Sequence, residues 1–343
     1  MNQVSSSDRP LRLLAVTRNT QGASFEHRIA NFLPLLSERG IEVDVETYPR
    51  DHAKNKRALI RRFKEYEGVW WHKHLLHPFW LGRWRRAAKV VIYDYDDPIS
   101  FTSRNGGQPS WMRRWKFKSL VRCCDQIVVS SQYLADLARP FHSKVHIVPM
   151  AIDPPESVTA ERSSEGPIEL LWLGSKKTQG YLRQIRKPLE QLGQSHPSLQ
   201  LRLVAHEPMV FGSLKVDFQQ WSPETQERAL RECHVGLCPM PDTPWTRGKC
   251  PYKVFQYMAY AMPWVGSAVG ENLVTAGPSS DDSARGLCAG DSKGWVHAVD
   301  RLLGDASWRQ AVGGRARAYI QSHHLRSVLA DQLAQIIRSA CPG

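Results

Sequence analysis

The chain has 343 residues, 42% of them apolar and 23% charged, which fits a globular protein of about two domains and excludes a disordered one. No apolar run reaches the ~18 residues of a membrane span, and the first ten residues lack the apolar core of a secretory signal, so a cytosolic chain is expected. The net charge of +13 is lopsided: up to Ile152 there are 25 Lys and Arg against 14 Asp and Glu, or +11, and afterwards 21 against 19, or +2. A basic half of this kind suits a polyanionic partner. The seven cysteines are odd in number, with Cys123 and Cys124 adjacent and no Cys-x-x-Cys, which predicts reduced, mostly buried thiols.

The apolar run Leu11 to Val16 predicts a buried strand. A polar loop from Thr17 to Ser24 leads to a helix over about Phe25 to Arg39, stopped by Gly40, and a strand from Ile41 to Val45 follows. Further strands are expected at Val69 to Trp71, Val90 to Tyr93, Gln126 to Val129 and Val145 to Val148, with basic helical segments between them. The three prolines of Asp153 to Pro167 mark a linker. The alternation then restarts with a strand at Ile168 to Leu173, a helix over about Thr178 to Leu192 and a strand at Leu201 to Ala205. Next come a helix near Glu224 to Glu232, a strand at Val235 to Leu237, a helix near Tyr252 to Tyr260 and a strand at Trp264 to Ser267. A helical tail in three pieces runs from Ser292. Two alternating halves predict an α/β protein of two doubly wound domains: 1–152, a linker at 153–166, 167–325, and a last helix at 326–343 that crosses back to the first domain.

Ligands of open parallel sheets bind beyond the carboxyl ends of the strands, so the residues after each strand are the candidates. Tyr93-Asp94-Tyr95-Asp96-Asp97-Pro98 places three carboxylates within four residues of a strand end. Mutual repulsion raises their pKa unless compensated. They suit a hydroxylated substrate or positive charge in a transition state better than a capping turn, and no metal is expected. Gly174-Ser175-Lys176-Lys177-Thr178 joins a strand to a helix, a place where free backbone N–H groups suit phosphate. Between Pro239 and Met258 a proline-rich loop enters a helix near Pro251, and Arg247, Lys249 and Lys253 crowd that start, which predicts anion binding there. His72, His74 and His77 lack a fourth ligand for zinc and read as a polar lining.

Trp245 to Ala259 resembles the donor-binding segment of GT-B retaining glycosyltransferases of family four (glycosyl transferases group one). The match is to the subgroup carrying Arg-Gly-Lys-Cys-Gly-Phe-Lys and then Gln-Tyr-Met-Ala, with Pro251 and Tyr252 here replacing Gly-Phe. Tyr93 to Pro98 is similar to that subgroup's Tyr-Asp-x-Asp-Asp. Ser130 to Ala138, Val148-Pro149 and Ile152-Asp153 are similar to the family's interdomain passage, and Trp172 to Leu182 and Trp221 to Leu230 to its early second domain.

The resemblance implies the GT-B fold, two Rossmann-like domains facing a cleft, with the acceptor on the first and a nucleotide-diphosphate sugar on the second. It implies transfer to an acceptor hydroxyl with retention, no metal and no tightly bound cofactor. Asp96 and Asp97 become the catalytic candidates. Gly174, Ser175, Lys176, Thr178, Arg247, Lys249, Lys253 and Gln256 become the donor-binding candidates. Arg18, Arg28, His72, His74 and Asp94 become the acceptor or cleft candidates. The family's pair of glutamates, eight positions apart, falls on Gly248 and Gln256, and its cleft histidine falls near Asp96. The expected role is glycan, polysaccharide or glycolipid assembly.

Six of the twelve tryptophans lie between Trp70 and Trp115, inside the basic half. Trp111, Arg113, Arg114, Trp115, Lys116 and Lys118 lie on one expected helix, with Phe117 to Leu120 adding apolar area, and Trp80 to Lys89 is a second basic stretch around Trp84. Charge with interfacial aromatics predicts a peripheral contact with an anionic membrane surface, on its inner face, and a lipid-linked or glycan acceptor. Two other readings compete. One is a non-catalytic nucleotide-sugar or glycan-binding subunit, favoured by the missing glutamates. The other, a nucleic-acid-binding protein, has charge but no recognition fold behind it, so no nucleic acid is expected.

Overall fold

The computed structural model describes residues 9–49, 53–103, 106–158, 166–278 and 283–341, with the side chain of Lys177 left out. The chain forms two compact units. The first is Met1–Ala151 with Thr243–Cys250 and Arg326–Gly343; the second is Ile152–Asp242 with Pro251–Leu325.

The first unit holds a parallel sheet of six strands: β1 (Leu11–Thr17), β2 (Ile41–Thr47), β3 (Gly68–His72), β4 (Val90–Tyr95), β5 (Gln126–Val129) and β6 (Val145–Ile147). Their order is β2-β1-β3-β4-β5-β6. The strands read as near-continuous apolar runs because both faces are covered. Leu14, Val16, Val69 and Trp71 pack on one face, and Leu13, Ala15, Trp70 and Ile92 on the other. The helix Arg326–Ala340 covers that second face with Leu329, Leu333 and Ile337, an i, i+4, i+8 stripe.

The second unit holds β7 (Glu169–Leu173), β8 (Gln200–Ala205), β9 (Lys215–Gln220), β10 (Val235–Cys238), β11 (Trp264–Ser267) and β12 (Leu287–Ala289). The order is β12-β11-β10-β7-β8-β9, again parallel throughout.

Two expected helices are broken, each where a proline withholds an N–H. Phe25 to Arg39 resolves into Ala23–Arg28, a 3-10 turn and Leu33–Ser37 with Pro34 in its first turn. Thr178 to Leu192 becomes Lys176–Leu182, a 3-10 turn and Arg186–Ser195, which contains Pro188. The tail forms Ser292–Gly304, Ala306–His323 and Arg326–Ala340. The expected linker is described only in part, because 159–165 lie outside the described residues. Among the described residues no helix is long and apolar enough to cross a membrane.

Candidate functional site

A sheet whose strand order reverses has a switch point, and the crevice beyond it is the usual ligand site. In the first unit the reversal lies between β1 and β3; in the second it lies between β7 and β10.

At the first switch point, strand ends supply a chain of polar groups. Thr17 Oγ1 lies 2.9 Å from His72 Nδ1, Ser24 Oγ lies 3.1 Å from His72 Nε2, and the Ser24 hydroxyl donates to Asp96 Oδ1 at 2.7 Å. The single Ser24 proton is committed to the carboxylate, so His72 Nε2–H donates to Ser24 and Nδ1 accepts from Thr17. Burial keeps His72 neutral, with a pKa of about 4.

Lys73 closes the network, its ammonium lying 2.9 Å from Asp96 Oδ1 and 2.5 Å from Asp97 Oδ2. Its backbone takes φ 60°, and its N–H donates to Asp94 O. A non-glycine residue in the left-handed region is strained, and such strain gathers at functional sites. Burial works to raise both carboxyls. At Asp96 the Lys73 ammonium, together with His72 and the Ser24 hydroxyl beside it, outweighs it and holds the carboxyl below its ordinary range. At Asp97 burial and the Asp96 charge prevail over Lys73, and the pKa rises. Two neighbouring acids pushed apart can take different roles, one a fixed negative charge and the other a proton carrier. A cavity of about 280 Å³ opens over this network, lined in part by Arg18, Asn19, Ser24 and His74.

Arg28 and Asp94, expected in an acceptor or cleft role, form a buried ion pair. Arg28 forks Asp94 at 2.8 and 3.0 Å, and both side chains are 1% exposed. Arg28 also donates to the carbonyls of Val148 and Pro149. Burial works against the guanidinium charge, but Asp94 outweighs it and the Arg28 pKa rises. The three histidines part company. His72 joins the network, His74 packs on Tyr48 and Trp71 with ring centroids 5.0 and 6.1 Å away, and His77 caps Pro78–Ala87 by accepting from Phe79 N–H. Among the described residues no group of three or more His, Cys, Asp or Glu could hold a metal ion.

At the second switch point, Lys253 Nζ donates to Thr178 Oγ1 at 3.1 Å and lies 4.4 Å from the centroid of the Trp172 ring. Gly174 makes this approach feasible, because a Cβ there would sit 2.5 Å from Lys253 Nζ and 2.9 Å from Thr178 Oγ1. Ser175 is exposed and its hydroxyl makes no cap to the helix it precedes. Lys176 forms an exposed pair with Glu207 at 2.5 Å. Gln256 is half-buried on the helix Tyr252–Ala259.

Arg247 and Lys249 do not share a unit with Lys253. Thr243–Cys250 folds with the first unit. Thr243 and Thr246 cap each other there, and Gly106 and Gly107 press against Thr243 and Trp245. Arg247 is exposed, and the Lys249 charge acts on Asp97. Gly248 is close-packed: a Cβ there would lie 3.0 Å from Leu134 Cδ2 and Tyr133 Cδ1 and 3.1 Å from Pro98 Cδ. A larger side chain at this position would require those neighbours to give way.

The helix Trp111–Cys123 sorts its residues by face. Phe117, Leu120 and Val121 are core, which removes Phe117 to Leu120 from the expected membrane-facing area. Trp111, Arg114, Trp115 and Lys118 share the opposite face by helical spacing, with Trp111 78% and Trp115 47% exposed. Arg113 and Lys116 take a third face and line a pocket. Trp70, Trp71 and Trp84 are fully buried, so the second basic stretch has no interfacial tryptophan at Trp84.

No protein-family model and no curated protein matches the chain. Solved structures do resemble it. Sucrose-phosphate synthase from Thermosynechococcus elongatus has a TM-score of 0.69 at 16% identity, covering 96% of this chain and 98% of that one. HepE from Anabaena, in complex with UDP and glucose, has 0.65 at 12%, covering 96% and 100%. A UDP-forming α,α-trehalose-phosphate synthase from Burkholderia xenovorans has 0.65 at 12%, covering 97% and 100%. Two six-stranded parallel sheets in these orders, matched over nearly the whole chain, give the protein the GT-B fold of two Rossmann-like domains.

Proposed function

We propose that the chain is a glycosyltransferase that moves a sugar from a nucleotide-diphosphate donor to an acceptor hydroxyl, with retention of anomeric configuration. The observation that carries this reading is the second switch point, where Lys253 stands against Thr178 beside Gly174, at which a larger residue would press on both side chains. A leaving diphosphate needs cations and backbone donors placed in advance, and Lys253 with the turn at Gly174, Ser175 and Thr178 supplies them. Asp96 and Asp97 belong to the first unit and are the acidic candidates of this reading, Asp97 with its raised pKa being the better proton carrier. Proteins of this fold solved with UDP, or named as UDP-forming synthases, support a nucleotide sugar as co-substrate.

The test is calorimetry with UDP and GDP, together with UDP or GDP release from a panel of nucleotide sugars. Lys253→Ala should weaken nucleotide binding by about 1.5–3 kcal/mol, the worth of a charged hydrogen bond. Wild-type affinity in that variant removes the donor assignment.

A second reading, a non-catalytic binding subunit, draws on the close-packed Gly248 and on Gln256, which stand where the family pattern has glutamates. Donor binding without turnover on any donor and acceptor would favour it.

The face of Trp111, Arg114, Trp115 and Lys118 supports a peripheral contact with an anionic membrane, in keeping with a lipid-linked or glycan acceptor at the inner face of a cell membrane. Flotation with anionic vesicles should fade at high salt and in Arg114→Ser/Lys118→Ser, each cation adding roughly 1 kcal/mol before screening. Equal recovery with neutral and anionic vesicles removes the contact.

A further inference from the structure

Two helices on one face of the first sheet, Ala53–Arg62 and Pro78–Ala87, carry five and three Lys or Arg and no Asp or Glu. They pack on the sheet through Leu59, Ile60, Leu81 and Trp84. Between them lies a trough of about 360 Å³. Arg57, Arg61 and Lys64 line it from one helix and the turn that follows, Arg83 and Arg86 from the other, with Ile60 and Ala87 between. All five cations are exposed, and no Asp or Glu is among the described residues that line the trough.

The cations of these helices sort by partner. Arg62 pairs with Glu46, and Arg85 pairs with Asp125 at 3.0 Å. Lys56 Nζ lies 5.8 Å from the centroid of the Tyr48 ring. The five that remain are those of the trough, and among the described residues none of them forms an ion pair. The Arg83 guanidinium carbon stands 4.7 Å from the centroid of the Phe79 ring, and Arg86 Nε–H donates to Gly82 O at 3.1 Å. Both contacts orient a guanidinium and leave its charge whole. A cation in the last turn of a helix complements the dipole, which accounts for Arg61 and Arg86 but not for Arg57, Lys64 or Arg83.

The shape of the trough says what kind of anion suits it. Arg57, Arg61 and Lys64 follow one another at i, i+4 and i+7, a stripe about 10 Å long, and Arg83 and Arg86 stand opposite at i and i+3. A linear polyanion meets both rows along its length and releases their counterions. Four of the five cations are arginines, whose forks take a carboxylate by both oxygens. A flat bilayer meets the crests of helices and draws on interfacial aromatics, and a single-stranded nucleic acid draws on aromatic faces for stacking. The trough is concave, and no aromatic residue lines it among the described ones.

Its place separates it from the polar network of Asp96 and Asp97. Lys64 stands four residues before β3 begins at Gly68, and Arg86 four before β4 begins at Val90. The trough therefore lies toward the amino ends of the strands, whereas the crevice lies beyond their carboxyl ends.

We propose that this trough binds an extended acidic polysaccharide, a carboxylate-bearing glycan strand held along its length. That the polyanion is a glycan rests on the glycosyltransferase reading; that the trough takes a linear polyanion does not.

The probe is a fluorescently labelled oligogalacturonate, followed by polarisation at ~150 mM salt, where exposed charges are screened beyond about 8 Å. Wild-type protein should bind it, and Arg61→Gln/Arg86→Gln should bind it at least about tenfold more weakly, the effect of losing charge-assisted contacts. Lys187→Gln/Lys293→Gln, which removes two exposed charges from the second unit, should stay within about twofold of the wild type. Equal losses in the two variants, or no binding by the wild type, overturn the trough. Should Arg61→Gln/Arg86→Gln fail to fold, Arg57→Gln alone must weaken binding about threefold or more for the trough to stand. Unlabelled oligogalacturonate should displace the label; displacement by neutral dextran overturns recognition of charge. If phosphatidylglycerol vesicles, a single-stranded oligonucleotide or polyglutamate bind more tightly than the oligogalacturonate and lose more affinity in Arg61→Gln/Arg86→Gln, the occupant is a membrane, a nucleic acid or an acidic protein segment, and the glycan is overturned. UDP binding, measured on the same samples, tests the glycosyltransferase reading separately. Its absence in the wild type removes that reading, and the comparison of the two variants still decides the trough.

Discussion

The two units reach a switch point by different strand orders and furnish it in opposite ways. In the first, β3 follows β2 across β1, and the crevice holds a histidine, a serine, a lysine and two aspartates that satisfy one another. In the second, β10 follows β9 across β7, and the crevice holds a glycine, two small hydroxyls and one lysine against an indole. A self-satisfied network fixes charges and protons before any ligand arrives, which suits chemistry on an acceptor hydroxyl. A sparse cationic corner suits a ligand that brings its own negative charge. The same rule of sheet topology locates both, and side chains alone set them apart.

The largest expected break in this contrast comes from beneath the first network. Arg28→Ala should cost about 3–5 kcal/mol of stability in urea unfolding, because it strands Asp94 as an unpaired buried charge. Arg28→Met/Asp94→Leu should cost clearly less than Arg28→Ala alone. A single variant that unfolds like the wild type would refute the structural role given to the pair.

Asp96→Asn should lower kcat about a hundredfold or more through lost electrostatic stabilisation, while UDP affinity, which the proposal assigns to the other unit, should stay unchanged. Lys253→Ala should do the reverse to affinity. If Asp96→Asn weakened UDP binding as much as Lys253→Ala does, the division of labour would collapse.

The smallest effect is one of pH. The folded-state pKa of His72, about 4, lies below its ordinary value of 6.5, so the unfolded chain takes up a proton first as pH falls. Its contribution is complete above pH 6.5 and disappears on the way down to 4. Between pH 7 and 5 this amounts to about 2 kcal/mol, and His72→Gln should flatten that part of the stability profile. An equal slope in the variant would place the titration elsewhere.

Strands with both faces buried were legible as apolar runs, and so was the sequence of two alternating halves. Lys215–Gln220 was not, because its residues are exposed or half-buried and carry no apolar run. Leu287–Ala289 is too short to stand out. The acidic turn and Lys253 were visible as charge at element ends. Lys73 was missed, because nothing in His-Lys-His signals a left-handed backbone or the turn that brings its ammonium onto two aspartates. Its place, directly after β3, where the strand order reverses beside β1, was the available clue. The cations of Trp111 to Lys118 were visible as a set, but helical spacing had to be combined with burial before Arg113 and Lys116 separated from Arg114 and Lys118. The attachment of Thr243–Cys250 to the first unit has no local signature, since close packing against Gly106 and Gly107 is a contact between distant parts of the sequence.

The cover that Arg326–Ala340 lays over Leu13, Ala15, Trp70 and Ile92 has a consequence for synthesis on the ribosome. The sheet that emerges first keeps an apolar face open while the whole second unit is translated, because the helix that closes it is made afterwards. Vectorial folding, in which an early domain finishes before the next begins, is therefore closed to the first unit. Aggregation of the nascent chain is therefore expected to fall once Arg326–Ala340 has been made.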